Sequence, residues 1–400
     1  MMARRIAIIG GGIGGLTLGI DLRQRGFEVD IYESTSELRE VGAAVGLSAN
    51  SLRYYQGRIG IGDKLAETWA DIGELIFRHG EDGSEIARIG PEVQYQQRYG
   101  SPWVGIHRAE LQAALAGAYG NEGLHLSRRL TGIRETDTEA VLDFADGSTE
   151  TADLVIGADG VRSTTRRLML GYDDALFSGC SGTRGIVAPE LLSELPDPAA
   201  IQFWIGPQGH LLHYPIGGGA HNFLLVRRDG GPWAHQQWVT PIPDGSHVAD
   251  FAGWHPAVQQ MITAVPVTER WALFHRPPLS RWSRGRVTLI GDAAHAMVPH
   301  HGQGANQSIE DAIVLSDQLV ANADWDAARA EYERLRRGRT RRVQVASITT
   351  ADVLHLPPGP RADERDARLG AAEAFDRHLA WIHSYQAEQE PAETSGGTWL

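Results

Sequence analysis

The chain has 400 residues, of which 42% are hydrophobic and 22% charged, a composition typical of a globular protein large enough for two domains. Its formal net charge of −13 argues against a nucleic-acid partner and against a basic patch for an anionic membrane. Cys180 is the only cysteine, so no intrachain disulfide can form, and a reducing cytoplasm is the expected location.

The N-terminal stretch carries a nucleotide-binding pattern. Residues 6–9 predict a buried strand, and a G-x-G-x-x-G motif follows it directly. The glycines of this motif are Gly10, Gly12 and Gly15. A helix to about residue 25 leads to a second strand, residues 28–32, which ends on Glu33. Together these features predict a dinucleotide-binding βαβ unit, with pyrophosphate on the helix N-terminus and a ribose on the carboxylate.

Helices and short strands are expected to alternate over the next 85 residues or so. A Gly- and Ala-rich connection over residues 34–50 includes Arg39. Helices are predicted over residues 48–55, 64–69 and 107–119. Residues 74–100 carry signals of short strands and polar turns, and Arg108 stands at the start of the last of the three helices.

The middle of the chain changes architecture. A predicted hairpin and a buried strand over residues 154–156 lead into Gly157-Ala158-Asp159-Gly160. Strands then follow without long helices between them, at residues 201–205, 211–214, 223–226 and 271–275, with one helix over residues 256–264. This pattern predicts an antiparallel β-rich domain inserted into the nucleotide domain. The predicted division is 1–73, 101–175 and 277–350 for the nucleotide domain, 74–100 and 176–276 for the β-rich domain, 351–388 for a C-terminal helical segment and 389–400 for a disordered tail.

A second ligand-binding turn is predicted near residue 300. Residues 287–290 form a buried strand that stops at Asp292, and a glycine-rich turn follows. This turn contains Pro299, Gly302, Gly304, Ala305 and Asn306. Asn306 is predicted to cap a helix with the apolar stripe Ile309, Ala312, Ile313, Ser316, Leu319 and Val320. The carboxylate suits a sugar-like hydroxyl chain, and the open N–H groups suit an oxyanion. Helices over residues 327–347 and about 363–385 complete the chain.

Three motifs therefore stand in order: the glycine fingerprint with Glu33, the Asp159 element, and the Asp292 turn with its glycines. In this order they resemble the single-component (group A) FAD-dependent aromatic monooxygenases, the salicylate and para-hydroxybenzoate hydroxylase family. The resemblance extends from about Arg5 to Ser347, with a further similarity to the 6-hydroxynicotinate 3-monooxygenase branch. It implies an α/β fold in which a three-layer Rossmann-type FAD-binding domain carries an inserted antiparallel β-rich substrate domain and a C-terminal helical segment.

The resemblance also implies which residues bind FAD. Gly10, Gly12, Gly15 and Glu33 would hold its ADP half. Arg39 and Arg108 would lie along the cofactor, Asp159 would contact FAD and the nicotinamide donor, and Asp292 would bind the ribityl hydroxyls. The isoalloxazine would be lined by Pro299, Gly302, Gly304, Ala305 and Asn306.

The implied chemistry is a hydroxylation. NADH or NADPH, bound transiently, reduces FAD, O2 adds at C4a, and the terminal oxygen of the resulting hydroperoxide goes to an electron-rich ring. A phenol reacts faster as its phenolate, so a base near the hydroxyl is expected. The expected partner is a small aromatic substrate, without nucleic acid or membrane, and the expected assembly is a monomer or homodimer.

His210, Tyr214 and His300 are the catalytic candidates. Alternation along the strand over residues 211–214 places His210, Leu212 and Tyr214 on one face. We expect this face to lie over the substrate, with His300 assisting from the flavin edge. The competing interpretation puts His213 inside instead. Gly46 stands where the hydroxynicotinate branch carries a histidine, which weakens that substrate assignment.

Alternative functions remain open on sequence grounds. A flavin-dependent halogenase, epoxidase or N-hydroxylase would share the fold, although the tryptophans do not match a halogenase W-x-W-x-I-P motif. A flavin-binding protein without turnover is a third reading. Arg184 could meet a substrate carboxylate, but a structural ion pair is favoured. No cluster of His, Cys, Asp and Glu has metal-ligand spacing, so no metal is expected.

Overall fold

The computed structural model describes residues 4–38, 44–90, 92–172, 175–235, 237–374 and 376–388. The strands are β1 (Arg5–Ile9), β2 (Glu28–Tyr32), β3 (Ala44–Leu47), β4 (Trp69–Asp71), β5 (Leu75–His79), β6 (Glu85–Ile89), β7 (Val104–His107), β8 (Leu124–His125), β9 (Leu130–Glu135), β10 (Ala140–Phe144), β11 (Thr149–Ala152), β12 (Leu154–Gly157), β13 (Leu176–Val187), β14 (Ile201–Gly206), β15 (Gly209–Pro215), β16 (His221–Arg228), β17 (Val239–Pro241), β18 (Glu269–His275), β19 (Ser283–Arg284) and β20 (Val287–Leu289). The helices are α1 (Ile13–Gln24), α2 (Ala49–Gly57), α3 (Gly62–Ala66), α4 (Glu92–Tyr99), α5 (Arg108–Tyr119), α6 (Thr164–Leu170), α7 (Ser246–Ala249), α8 (Pro256–Thr263), α9 (Asp292–His295), α10 (Gly304–Ala321), α11 (Trp325–Leu354), α12 (Pro360–Leu369) and α13 (Trp381–His383).

A six-stranded sheet with a parallel centre forms one layer, in the order β19-β20-β12-β1-β2-β8. Its central strands are short apolar runs in parallel register, with Ile8 beside Ile156 and Ile31. All three isoleucines are fully buried; α1 packs on β1 and β2, and α10 packs in turn on α1. The predicted βαβ unit is confirmed, since β2 spans residues 28–32 as the sequence indicates.

An eight-stranded sheet in the order β17-β18-β13-β16-β15-β14-β5-β6 forms the second large layer. Its neighbouring strands are antiparallel except for β14 and β5, which run parallel. In β15, Leu211 packs with Trp204 in one apolar core, while Leu212 and Tyr214 belong to another on the opposite face. His213 shares the Leu211 face and accepts a hydrogen bond from Trp204 Nε1 at 3.1 Å. The alternation predicted for this strand is therefore present.

A small sheet in the order β3-β7-β4 lies directly against β15. A Cβ on Gly105 of β7 would stand 2.1 Å from the carbonyl oxygen of Pro215 and 2.8 Å from the ring of Tyr214. Glycine therefore permits an approach that no other residue allows. This contact fixes the Tyr214 ring between the two sheets.

The predicted fold class is confirmed: an α/β molecule with a parallel sheet, an antiparallel β-rich layer and a helical C-terminus. The domain boundaries given above stay a prediction. The expected tail over residues 389–400 lies outside the described residues.

Several predicted helices differ from those observed. The helix predicted over residues 64–69 is α3, which ends at Ala66 because the chain turns there into β4. Residues 74–100 contain the helix α4 as well as strands. The helix predicted over residues 363–385 ends at Leu369 in α12 and resumes as a π-helical turn, Asp376–Ala380, followed by α13.

The start of α10 also differs from the prediction. The helix begins at Gly304, and Gln303 is its N-cap residue, so Asn306 lies inside the first turn and caps nothing. Val320, assigned to the apolar stripe, is 47% exposed. The other stripe members are buried, as predicted.

Candidate cofactor and substrate site

A cavity of about 900 Å³ lies where the parallel strands end and faces the eight-stranded sheet. The turns after β1, β2, β12 and β20 all contribute to its lining. Ligands of open α/β sheets bind outside the carboxyl ends of the strands, and this cavity has that position. Its other end is lined by apolar side chains of the eight-stranded sheet.

The glycine fingerprint forms a close-packed turn at the first end. Gly10 has φ +110°, and a Cβ there would lie 2.4 Å from the carbonyl oxygen of Ala158. A Cβ on Gly15 would lie 2.1 Å from the carbonyl oxygen of Gly10. Gly12, the N-cap residue of α1, offers no side-chain cap, so the first N–H groups of the helix stay open toward the cavity. This geometry fits a pyrophosphate.

Glu33 stands at the end of β2 beside this turn and lines the cavity. Its Oε2 accepts a hydrogen bond from Gly11 N at 2.8 Å, and its Oε1 accepts from Thr35 N at 2.9 Å and Ser34 Oγ at 3.0 Å. The carboxylate therefore joins the glycine turn to the chain after β2. Its remaining lone pairs are placed for a ribose hydroxyl.

Asp159 and Arg108 line the middle of the cavity. Asp159 accepts hydrogen bonds from Thr165 N at 2.9 Å and from Ser163 Oγ, so its carboxylate anchors the start of α6. Burial raises the pKa of Asp159, although these hydrogen bonds act in the opposite direction. Arg108 is the first residue of α5, and its positive charge acts on Asp292. Arg39 lies outside the described residues.

Asp292 lines the cavity at the end of β20. Gly291, with φ +58°, makes the turn before it, and Gly291 N donates to Asp311 Oδ2 at 2.9 Å. Burial raises the pKa of Asp292, while the charges of His295 and Arg108 oppose this shift. Within the described ranges, no residue hydrogen-bonds its carboxylate. A half-buried carboxylate that faces a cavity needs donors from a ligand, and a ribityl chain supplies hydroxyls.

The glycine-rich loop forms the next wall. Its cavity-lining members are Pro299, Gly302, Gly304 and Ala305. Asn306 stands behind them: its Nδ2 donates to Gly302 O at 2.8 Å and Gly46 O at 3.0 Å, and its Oδ1 accepts from Ser48 N at 3.1 Å. Asn306 thus clamps the loop to β3 and α2 instead of lining the cavity. The first N–H groups of α10 have no side-chain cap and suit the negative charge of a reduced flavin.

The far end of the cavity, called the chamber below, is apolar. Phe77, Phe203 and Leu212 stand side by side across β5, β14 and β15, with the two phenyl rings stacked 5.2 Å apart. Tyr214 lies two residues along on the same face and also lines the cavity. No other described residue is hydrogen-bonded to its hydroxyl. Burial raises the pKa of Tyr214, so the phenol stays protonated at neutral pH.

His210 and His300 lie at the margin of the chamber. His210 Nδ1 is 2.7 Å from Nε2 of His355, and its ring is 5.2 Å from that of His300. His300 lines the cavity, but both its ring nitrogens are buried and unpartnered among the described residues. Burial lowers the pKa of His210 well below its usual range and that of His300 to about 3, so both rings are neutral. The fold brings the three catalytic candidates together, and of these three Tyr214 is the one that presents its polar group to the chamber.

Sequence reasoning missed several residues near the chamber. His355 ends α11, and Leu379 and His383 of the C-terminal segment line the cavity. His383 Nδ1 is 2.9 Å from the hydroxyl of Tyr95, on the undetected helix α4. No motif marks these positions, because long-range packing brings them there. Arg184 lines the cavity with its guanidinium over the Trp271 ring at 4.1 Å, a cation–π contact. The ion pair favoured for Arg184 from the sequence stays a prediction.

Metal-ligand clusters and membrane-spanning helices are both absent from the described part of the chain. No group of three or more His, Cys, Asp and Glu side chains there could hold a metal ion. Among the helices that the structure describes, none has the length and hydropathy needed to cross a bilayer.

The glycine turn, the free carboxylate of Asp292 and the apolar chamber on one cavity define a flavoprotein aromatic hydroxylase. The chain belongs to the FAD binding domain family, whose model matches residues 4–350. It is 38% identical to 3-amino-4-hydroxybenzoate 2-monooxygenase of Streptomyces platensis, over 96% of both chains. It is 35% identical to 6-hydroxynicotinate 3-monooxygenase of Bordetella bronchiseptica, over 86% of this chain and 90% of that one.

A solved structure gives the same assignment. The substrate complex of salicylate hydroxylase superposes with a TM-score of 0.82 at 29% identity, covering 98% of this chain and 99% of that one. The resemblance stated from the motifs is confirmed, and FAD is the cofactor.

Reversing the charge of Glu33 is expected to weaken FAD binding. Glu33→Arg removes the acceptor predicted for the ribose and breaks the hydrogen bonds to Gly11 and Thr35 that shape the turn. We expect FAD affinity to fall by about tenfold or more, measured by titrating the apoprotein with FAD. Glu28→Arg, at the exposed start of the same strand, is the matched control. Wild-type affinity in Glu33→Arg would assign the ribose to another acid.

Proposed function

We propose that this protein uses NADH or NADPH and O2 to hydroxylate an electron-rich phenolic or hydroxy-heteroaromatic ring. One observation carries this proposal: a single cavity runs from the glycine turn after β1 to the apolar chamber, and the side chain of Tyr214 lines that chamber. The names of two relatives, a hydroxybenzoate and a hydroxynicotinate monooxygenase, support such a ring. We further propose a cytoplasmic monomer or homodimer without nucleic-acid or membrane partners.

When bound, FAD would supply the redox chemistry, namely acceptance of a hydride and activation of O2. The residues of this chain hold and orient it. The open N–H groups before α1 would bind the pyrophosphate, Glu33 the ribose and Asp292 the ribityl hydroxyls. The capless start of α10 would face the negatively charged edge of the ring system.

Within the chamber, the stacked phenyl rings of Phe77 and Phe203, together with Leu212, provide an apolar floor for an aromatic ring. Tyr214 stays protonated, so its hydroxyl can donate to the substrate oxygen and stabilise the phenolate, the more nucleophilic form. The neutral rings of His210 and His300 would support this as positioning groups. The direct catalytic role expected of these two histidines from the sequence stays a prediction.

Tyr214→Phe is expected to uncouple the reaction. The variant keeps its FAD and still oxidises NADH, but an unactivated ring is hydroxylated slowly and oxygen leaves as hydrogen peroxide. We expect the product formed per NADH to fall by about tenfold, because one hydrogen bond of about 1.5 kcal/mol is lost. Peroxide and product are measured together. Tyr172→Phe, at a tyrosine that is 51% exposed, is the control, and wild-type coupling in Tyr214→Phe would exclude the proposed contact.

The function as a whole is tested with purified holoenzyme and a panel of phenols and hydroxypyridines. We expect a yellow protein whose NADH oxidation accelerates with at least one ring, together with a product 16 mass units heavier, as one inserted oxygen requires. Ligand binding without accelerated oxidation would instead support a flavin-binding protein without turnover. A halogenated or epoxidised product would support the other enzyme classes.

A further inference from the structure

A second polar side chain stands beside Tyr214 in the chamber. Asn222 on β16 lies directly opposite Tyr214 on β15, so the two side chains project from the same face of the sheet. Asn222 lines the cavity, and its residue is only 6% exposed. No residue in the described part of the chain hydrogen-bonds its carboxamide. Its sheet neighbours on this face, Leu224 and Ile186, are apolar.

An unpaired carboxamide in such surroundings calls for an explanation. A buried polar group without a partner costs free energy, whereas an apolar residue of the same shape at this position would cost little. Packing therefore gives no reason for an asparagine here. A ligand in the chamber would supply the missing partner, because the carboxamide is in the lining where the substrate ring is placed by the proposed function.

We propose that Asn222 recognises an edge of the substrate, and that the substrate carries a nitrogen next to the hydroxyl that Tyr214 contacts. A carboxamide presents one C=O acceptor and one NH2 donor side by side. Its complement is a donor and an acceptor on neighbouring atoms. The lactam form of a 2-hydroxypyridine has this pair, and so does an ortho-aminophenol. A phenol with one hydroxyl has no second group beside the oxygen that Tyr214 contacts, and so leaves the carboxamide unengaged. This inference rests on the proposed function, since it takes the chamber as the substrate site.

The spacing of the two side chains agrees with one ring bridging both. Directly opposite residues of antiparallel strands have Cβ atoms about 4.5–5.5 Å apart. The Tyr214 ring packs closely against β7 at Gly105, which leaves it no room to move toward that strand. Side chains that start from Cβ atoms at this distance and project from the same face reach one region of the chamber, so their polar groups can contact neighbouring substituents of one ring. Asn222 would then determine substrate specificity, next to Tyr214, which activates the substrate hydroxyl.

The test compares binding of phenol, 2-aminophenol and 2-hydroxypyridine to the FAD-loaded protein without NADH. Binding is followed by the change in flavin absorbance and by calorimetry. In the wild type we expect at least one nitrogen-bearing ring to bind about tenfold or more tightly than phenol, as one extra satisfied hydrogen-bonding group implies. A preference for 2-aminophenol indicates an exocyclic nitrogen, and a preference for 2-hydroxypyridine indicates a ring nitrogen.

Asn222→Leu keeps the size of the side chain and removes both hydrogen-bonding groups. We expect it to bind phenol like the wild type, to keep its FAD, and to lose the preference for nitrogen-bearing rings. Asn222→Val, which also removes both hydrogen-bonding groups and suits a strand, serves as a second variant if Asn222→Leu does not fold, and it too should lose the preference. Asn121→Leu makes the same change at an exposed position and should leave all affinities unchanged.

Three outcomes would overturn the inference: equal wild-type affinity for all three rings, a preference retained in both Asn222 variants, or no saturable binding of any ring to the FAD-loaded protein. The proposed function is judged separately by ring-stimulated NADH oxidation. Rings that are hydroxylated without any nitrogen preference would leave that function standing and remove the role of Asn222.

Discussion

Asp292→Ala is expected to purify largely free of FAD. The Asp292 carboxylate lines the cavity and has no hydrogen-bond partner among the described residues, so the ribityl hydroxyls are its available donors. Hydrogen bonds to a charged group contribute about 1.5–3 kcal/mol each, and losing two corresponds to a fall in FAD affinity of about a hundredfold or more. Flavin absorbance per protein and the Kd for FAD of the apoprotein measure the effect.

Two variants define the origin of this loss. Asp292→Asn keeps an acceptor of the same size without the charge, and we expect an FAD affinity between those of the wild type and Asp292→Ala. Asp352→Ala, at a side chain that is 68% exposed, should bind FAD normally. Circular dichroism shows whether each apoprotein is folded. Full FAD occupancy in folded Asp292→Ala would show that the turn after β20 does not hold the ribityl chain.

The sequence predicts the nucleotide half of the molecule closely, because local rules govern it. Short β-branched strands, glycines that only a tight turn needs, and an acid at the strand end are all properties of neighbouring residues. Gly10 and Gly15 show this directly, since a Cβ on either would collide with backbone. The face of β15 that carries Leu212 and Tyr214 follows from the two-residue period of a strand.

The sequence predictions fail or are incomplete where contacts between distant segments determine the structure. Asn306 has the composition of a helix cap, but its side chain is engaged by Ser48 and Gly46, more than 250 positions away along the chain. His210 lies on the predicted face, but its partner is His355, at the end of α11. The C-terminal helix is interrupted near Gly370, where an added Cβ would lie 3.3 Å from the carbonyl oxygen of Ile86. No local pattern encodes these pairings.

A buried network of charged side chains links the turn after β20, which carries Asp292, to the helix α11. Arg336 of α11 donates to Asp311 Oδ1 at 2.7 Å and to Glu310, and all three side chains are fully buried. Asp311 in turn accepts from His295 Nε2 at 2.5 Å and from Gly291 N at 2.9 Å. The turn that presents Asp292 is therefore held in place from behind by an ion pair.

This network makes stability depend on pH in a defined direction. Burial alone would raise the pKa of Glu310 and Asp311, but the charges of the neighbouring arginines and, for Asp311, of His295 outweigh it and hold both pKa values below their usual range. Carboxyls with a lowered pKa in the folded state stabilise the protein fully above the unfolded pKa of about 4, and that contribution is lost as the pH falls through the folded values.

Arg336→Leu is expected to reduce the free energy of unfolding by about 3–5 kcal/mol at pH 7, because it leaves two carboxylates buried with one positive partner fewer. The denaturant midpoint of the apoprotein measures the loss. Arg334→Leu, on the same helix in an exposed pair with Glu331, should cost no more than about 1 kcal/mol. Lowering the pH should reduce the difference in the free energy of unfolding between Arg336→Leu and the wild type, because protonated carboxyl groups carry no charge for the guanidinium to neutralise. The opposite outcomes are a free energy of unfolding that falls as little in Arg336→Leu as in Arg334→Leu, or that falls by an amount independent of pH. Either result would contradict the role of this network in supporting the turn that carries Asp292.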